Sequence, residues 1–247
     1  RKYCRLRFGL SIDWKEHAKP ILILFSMQIA TTIYISSDTT ILGFLCSDDT
    51  VGIYSVSTKV YSIIKTVLSS IIIVSIPRLA SFLGKNDKNE FNFLARDIYC
   101  TLLTVITPAI VGMIVLRKQI VLIISNEAFL SATTSLTILC IALFFCLCAW
   151  FWGQCILVPM KMESFVFKST LLSAVVNIVL NFVMIPVWAE NAAAFTTVVA
   201  EAVAFLTQWL KGRKYVDFKG MQLLLLKVFL GCCGIIGVSI LLQPLEN

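Results

Sequence analysis

Charge is scarce in this sequence. Only 14% of its 247 residues are Asp, Glu, Lys or Arg, and 58% are hydrophobic, whereas an ordinary soluble domain carries about 25% charged residues. There is a single histidine, His17, and none of the nine cysteines has a neighbour at zinc-ligand spacing. Glycine-rich phosphate loops and nucleophile elbows are missing. Ser62-Ile-Ile-Lys65 repeats the serine–lysine pattern of penicillin-binding enzymes, but it stands inside an apolar run with neither companion motif. These absences argue against a soluble enzyme, a nucleic-acid-binding domain and a disordered segment. No metal, ATP site, cofactor or enzymatic activity is expected.

Long apolar runs are present instead. They lie at about 18–45, 51–83, 97–116, 130–158, 163–187 and 191–211, with a seventh at 221–243. Each is long enough to cross a ~30 Å hydrocarbon core as a helix. The expected fold class is therefore all-α and polytopic in a membrane. The second run reaches ~50 Å at 1.5 Å per residue and must extend beyond the lipid. The stretch QIVLIIS (119–125) is too short to span and is expected at the interface or in a loop. Seven cysteines (Cys100, Cys140, Cys146, Cys148, Cys155, Cys232 and Cys233) fall inside apolar runs, where they act as small hydrophobes. The opening RKYCRLRFGLSIDWKEHAK reads as a loop entering a membrane helix, with no signal-peptide pattern, and a piece of a longer chain is expected.

The net charge of +7 is not spread evenly. Alternate loops hold Arg1, Lys2, Arg5, Arg7, Lys15 and Lys19; Arg78, Lys85, Lys88 and Arg96; Lys161 and Lys168; and Lys211, Arg213, Lys214 and Lys219. The opposite set holds only Arg117 and Lys118. Basic residues mark cytoplasmic loops, so the first set is expected inside. This gives a cytoplasmic entry loop at 1–17, a six-helix lobe at 18–211, a cytoplasmic loop at 212–220, and a further helix and tail at 221–247.

Five ionisable residues fall within the runs: Asp38, Lys59, Lys65, Glu201 and Lys227. Such groups cost several kcal/mol in lipid unless they face protein or water. Asp38 lies eight residues before Cys46, and Lys59 lies nine after Thr50, which puts them at similar depth in a hairpin. Either a buried ion pair or a substrate or coupling role is open to them. On the second run Tyr54, Thr58, Tyr61, Lys65 and Ser69 form one stripe, and Ser55, Lys59, Ser62, Thr66 and Ser70 an adjoining one. Val56, Val60, Ile63, Val67 and Ile71 occupy much of the other half, so a lipid side and a hydrated, anion-attracting side are expected. Ser173, Asn177 and Asn181 recur every four residues, and Thr197, Glu201 and Gln208 share a side of the next run. Around a turn near 188–190, Asn177 and Glu201 come level. A hydrogen bond between them, or a proton or cation site on Glu201, is the expectation. Pro108 interrupts the third run, where a kink is expected.

The stretch NIVLNFVMIPVWAENAAAFTTVVAE (177–201) resembles a signature of bacterial polysaccharide flippases. Asn177, Asn181, Ile185-Pro186, Ala192-Ala193, Thr196 or Thr197, and Glu201 carry the likeness. Asp38, Leu42-Gly43, Val51-Gly52, Tyr54 and Lys59 match a second stretch, which IPRLAS (76–81) continues. The sequence departs at the turn, where Ala189-Glu190-Asn191 stands in place of the usual glycines. The resemblance extends to the multidrug/oligosaccharidyl-lipid/polysaccharide exporter (MATE-like) superfamily. It implies the C-terminal six-helix lobe of a two-lobed transporter plus one extra helix, with the first lobe as its missing partner.

The function so implied is translocation of an undecaprenyl-diphosphate-linked oligosaccharide across the bacterial cytoplasmic membrane, by alternating access. Lys59 and Lys65 are expected to hold the diphosphate, with Tyr54, Thr58, Tyr61 and Ser62 toward the glycan. Asp38, Asn177, Asn181 and Glu201 are expected to pair helices or couple to a proton or sodium gradient. Two other readings stay open. One is a cation-coupled drug or metabolite exporter of the same superfamily. The other is a non-transporting membrane subunit of a polysaccharide synthesis complex.

Overall fold

The computed structural model describes residues 36–85 and 87–216, with Ala18, Phe25, Thr32, Val228, 230–235 and Gly237. The entry loop 1–17, most of the run before residue 36, Lys227 and most of the run 221–243 lie outside the described residues. The chain divides into two compact units, Arg1–Ser36 and Ser37–Asn247. The second unit contains all the helices discussed below.

Among the described residues the structure is helical, with no strand. α1 (37–45) leads through Cys46 and Ser47 into α2 (Asp48–Gly84), a helix of 37 residues and so ~55 Å long. Asp48 and Asp49 lie in its first turn, where carboxylates favour the positive end of the helix dipole. α3 (Lys88–Val115) begins well before the expected residue 97, because the Asp87 side chain caps it, accepting from Glu90 N at 3.1 Å. The polar first turns thus extend the helix out of the apolar run. α3 continues through Pro108.

The short stretch between spans is α4 (Arg117–Ile124), followed by a 3₁₀ turn at Glu127–Phe129 capped by Asn126. α5 (Ala132–Trp150) is apolar nearly all round and is the most buried span. Its last turns, Phe151–Leu157, widen to π-helix, with Val158 N bonded to Gly153 O at 2.9 Å. α6 (Glu163–Gly212) is two limbs that meet at Ala189. Ser169 bonds Thr207, Ser173 bonds the Ala200 carbonyl, and Asn181 bonds Thr196. Pairs this far apart in sequence touch only if the chain reverses between them, so the limbs are antiparallel. The runs expected at 163–187 and 191–211 are these limbs, and each is long enough to span.

A single residue makes the reversal. Ala189 has φ 47° and ψ −128°, the region where glycine is at ease and a Cβ is crowded. Relief of that strain outweighs the unfolded-chain entropy that glycine adds. Ala189→Gly is therefore expected to stabilise the protein by about 1 kcal/mol. A thermal melt at or below that of the parent would contradict the strained turn.

The core has two parts. One joins α2, α3 and α5 around Ile72, Leu79, Leu102, Ile106, Leu143 and Leu147, all at 0% exposure. The second joins α1, α5 and α6 through Leu42, Leu139, Ile185 and the triple Ala192–Ala194. Lipid tails are as apolar as leucine, so close packing and interhelical hydrogen bonds hold such helices together. Small residues permit that packing. A Cβ on Gly212 would lie 2.5 Å from the Trp152 ring, and one on Gly153 2.5 Å from Gln208 Oε1. Large apolar side chains cover much of the outside, among them Phe44 (83% exposed), Val74 (77%), Ile123 (83%) and Val187 (79%). A surface of this kind suits hydrocarbon, and four helices meet the length and hydropathy of a membrane span. The protein is a multi-pass membrane protein.

Candidate functional site

Asp38 is the centre of the buried polar chemistry. It is 8% exposed and accepts three side-chain hydrogen bonds. Tyr54 Oη donates to Oδ2 at 3.0 Å, Thr197 Oγ1 to Oδ2 at 2.7 Å, and Asn181 Nδ2 to Oδ1 at 2.6 Å. Around these, Ser37 Oγ donates to Asn177 Oδ1 at 3.1 Å, Asn181 Nδ2 lies 3.2 Å from the same oxygen, and Thr196 donates to Asn181 Oδ1. The cluster ties α1 and α2 to both limbs of α6. A carboxyl group buried in this way needs donors at such distances, since leaving it bare costs several kcal/mol.

The partners differ from those expected in two places. Asp38 does not pair with Lys59, which is exposed. Tyr54 and Lys59 are five residues apart, which turns them ~140° from each other on the helix. The face that reaches Asp38 thus points the lysine away. Nor does Asn177 bond Glu201 directly. Asn177 Oδ1 serves Ser37 and Asn181, and its Nδ2 has no partner. Glu201 is buried at 8% exposure on the second limb, one turn beyond Thr197.

α2 is also rotated from the expected two-sided pattern. Val60 is buried in the core at 2% exposure, while Ile63 and Val67 are exposed. Tyr54, at 1%, lies within the protein and not on a hydrated face. Ser69 is buried, and Thr58, Tyr61 and Lys65 are half-buried toward the neighbouring helices. Lys65 Nζ sits 5.5 Å from the centre of the Tyr61 ring and within reach of Cys146 and Glu201. The exposed polar stripe is Ser55, Lys59, Ser62, Thr66 and Ser70.

Those hydroxyls are mostly satisfied within their own helix. Ser55 donates to Val51 O at 2.7 Å, Thr66 to Ser62 O at 2.8 Å and Ser70 to Val67 O at 2.7 Å. Such back-bonding lets hydroxyls sit at membrane depth without water. The Lys59 ammonium has no such recourse, and among the described residues it meets no acid within ion-pair distance. Ser57 was not singled out by the sequence pattern. It is fully buried and bonds Ser135 Oγ at 2.7 Å and Ala132 O at 2.9 Å, which locks α2 to α5. The eight described cysteines are free thiols.

The fold and this site define a membrane protein of packed spanning helices, with Lys59 exposed on α2 and the acids Asp38 and Glu201 buried. The sequence matches a family described as polysaccharide biosynthesis protein over residues 3–134, just over half its length, and the chain belongs to that family. Asp38, Tyr54, Lys59 and Lys65 lie within the match; the α6 partners lie beyond it. No match appears among curated proteins.

Proposed function

We propose that the protein moves an undecaprenyl-diphosphate-linked oligosaccharide from the inner to the outer leaflet of a bacterial cytoplasmic membrane. One observation carries this reading: Lys59, ~17 Å along α2, is exposed at membrane depth within a stripe of hydroxyls. An ammonium facing lipid there costs ~2.5–3.5 kcal/mol on insertion scales, so the stripe belongs to a face that meets water, an opposing lobe or an anion. A lipid-linked glycan supplies the matching chemistry. Its diphosphate binds the Lys59 point charge, and Lys65 reinforces the field from within. Hydroxyls already bonded to helix carbonyls keep lone pairs that accept from sugar O–H groups. The prenyl tail stays in lipid.

No bond of the cargo is made or broken in this scheme. The protein acts as a transporter in polysaccharide biosynthesis, by rocking of this lobe against a second. A proton or sodium gradient drives it, and the buried acids favour such coupling. The test is translocation of a fluorescent lipid-linked oligosaccharide in vesicles that contain the full-length protein. Glycan transport supports the reading. Proton- or sodium-driven dye efflux without glycan transport would instead make the protein a cation-coupled exporter.

A further inference from the structure

The open end of the α6 hairpin carries cations that no acid holds. Lys211 on the second limb reaches across to the first, with Nζ 5.6 Å from the centre of the Phe165 ring. Arg213, just after the second limb, lies over the Trp209 ring at 5.1 Å. Lys168, one turn along from Phe165, and Lys214 are exposed. Among the described residues none of these four cations meets a carboxylate within ion-pair distance. A ring face attracts the charge electrostatically and leaves most N–H donors free, so Lys211 and Arg213 are steadied and still able to bind an anion.

Their depth is that of lipid headgroups. Phe165 and Lys211 lie 24 and 22 residues from the reversal at Ala189, which is ~36 Å and ~33 Å along the limbs. A hydrocarbon core is ~30 Å thick, so a hairpin that turns at one surface brings these residues out at the other. Aromatic rings and snorkelling lysines are at home there.

An apolar track starts at the same place. Leu172, Val175, Val179 and Phe182 follow Lys168 at i+4, i+7, i+11 and i+14, which puts all five on one face of the first limb. The four apolar side chains are 49% to 59% exposed. The face runs ~21 Å, more than the ~15 Å depth of one leaflet. Free cations at headgroup level above an apolar track match a molecule with an anionic head and a hydrocarbon tail better than they match a soluble anion.

Basic residues between spans are common, and a second pair supplies the contrast. Lys85 and Lys88, between α2 and α3, are also exposed, but Asp87 stands between them in sequence. Among the described residues neither of them lies over an aromatic ring.

We propose that the basic end of the α6 hairpin binds an anionic phospholipid, its phosphodiester between Lys168 and Lys211 and an acyl chain along Leu172, Val175, Val179 and Phe182. Arg213 and Lys214 strengthen the field at that end. The site rests on neither the cargo nor the coupling proposed above.

The test is electron spin resonance of spin-labelled phosphatidylglycerol and phosphatidylcholine in phosphatidylcholine vesicles containing the full-length protein. The ratio of motionally restricted labels gives the relative affinity for the anionic headgroup. Wild type should prefer phosphatidylglycerol. Lys168→Gln with Lys211→Gln should lower that preference about fivefold, roughly the attraction of one lysine near an anionic surface. Lys168→Arg with Lys211→Arg should keep it. Lys85→Gln with Lys88→Gln removes the same charge and should leave the preference within about twofold of wild type. Three results would overturn the proposal. The first is no preference in the wild type. The second is an equal loss in the two glutamine pairs, which would reduce the effect to general surface charge. The third is displacement of the label by inorganic phosphate beyond that caused by chloride of equal ionic strength, which would make this a site for a free anion. The first and third need only the wild type and hold even if a variant misfolds.

Discussion

Asp38→Ala lowers the unfolding free energy of the full-length protein by about 2–5 kcal/mol, and adding Lys59→Ala lowers it by no more than its own separate effect. The first part follows from the three donors on Asp38, which lose their acceptor together at a residue only 8% exposed. The loss is smaller than three full hydrogen bonds, because a chain unfolded within the bilayer also finds partners for freed polar groups. Asp38→Asn keeps one carbonyl acceptor and the side-chain shape, and costs about 1–2 kcal/mol. The second part separates this structure from an Asp38–Lys59 ion pair. Such a pair would make the double variant more stable than additivity predicts, since the single change strands a buried charge. A coupling energy above about 1 kcal/mol in the double-mutant cycle would reinstate the pair.

If the proposed function holds, Lys59→Glu is expected to reduce translocation of the lipid-linked oligosaccharide about 10²–10³-fold, with insertion and melting close to wild type. Two unit charges at contact near a protein surface interact by about 4 kcal/mol, and each 1.4 kcal/mol is tenfold. On that reading the reversed charge replaces attraction for the diphosphate by repulsion. The exposed position of Lys59 means that the fold loses no contact. Lys59→Arg keeps the charge and most of the rate. Lys65→Ala behaves differently: its ammonium lies over the Tyr61 ring and within reach of Glu201 and Cys146, so the change lowers stability along with transport. Initial rates in vesicles, paired with melts of the same preparations, separate the two lysines. Undiminished transport by Lys59→Glu would remove the exposed stripe from the cargo path.

Much of the site's depth was legible in the chain. Asn181 bonds Thr196 and Gln208 bonds Ser169 across the reversal, as an antiparallel pair of limbs requires. The departure from glycine at the turn was visible too, and it reappears as the positive φ of Ala189. The partners were less legible. Ser37 is an ordinary neighbour of Asp38 in sequence, and nothing in its spacing connects it to Asn177, 140 residues on. Ser57 and Ser135 are likewise isolated hydroxyls until α2 and α5 pack. Val60 and Val67 have the same side chain and lie two turns apart, yet one is buried at 2% and the other is 63% exposed.

The reason is geometric. Position along the membrane normal is a sum of 1.5 Å rises along one helix, so runs of apolar residues and the loops between them determine span and depth by themselves. Which way a side chain points around its helix depends on the face that the neighbours bury. That choice is made by contacts between segments distant in sequence, through the alanines of α6, the aromatic and glycine contacts at the end of α5, and the hydroxyl pairs between helices. The sequence by itself determined that the chain crosses the membrane repeatedly, and where along each span its polar groups lie. Only the tertiary structure decided that Asp38 closes on Tyr54, Asn181 and Thr197 and leaves Lys59 facing out, because ~140° of helix rotation is invisible to hydropathy and decisive for a hydrogen bond.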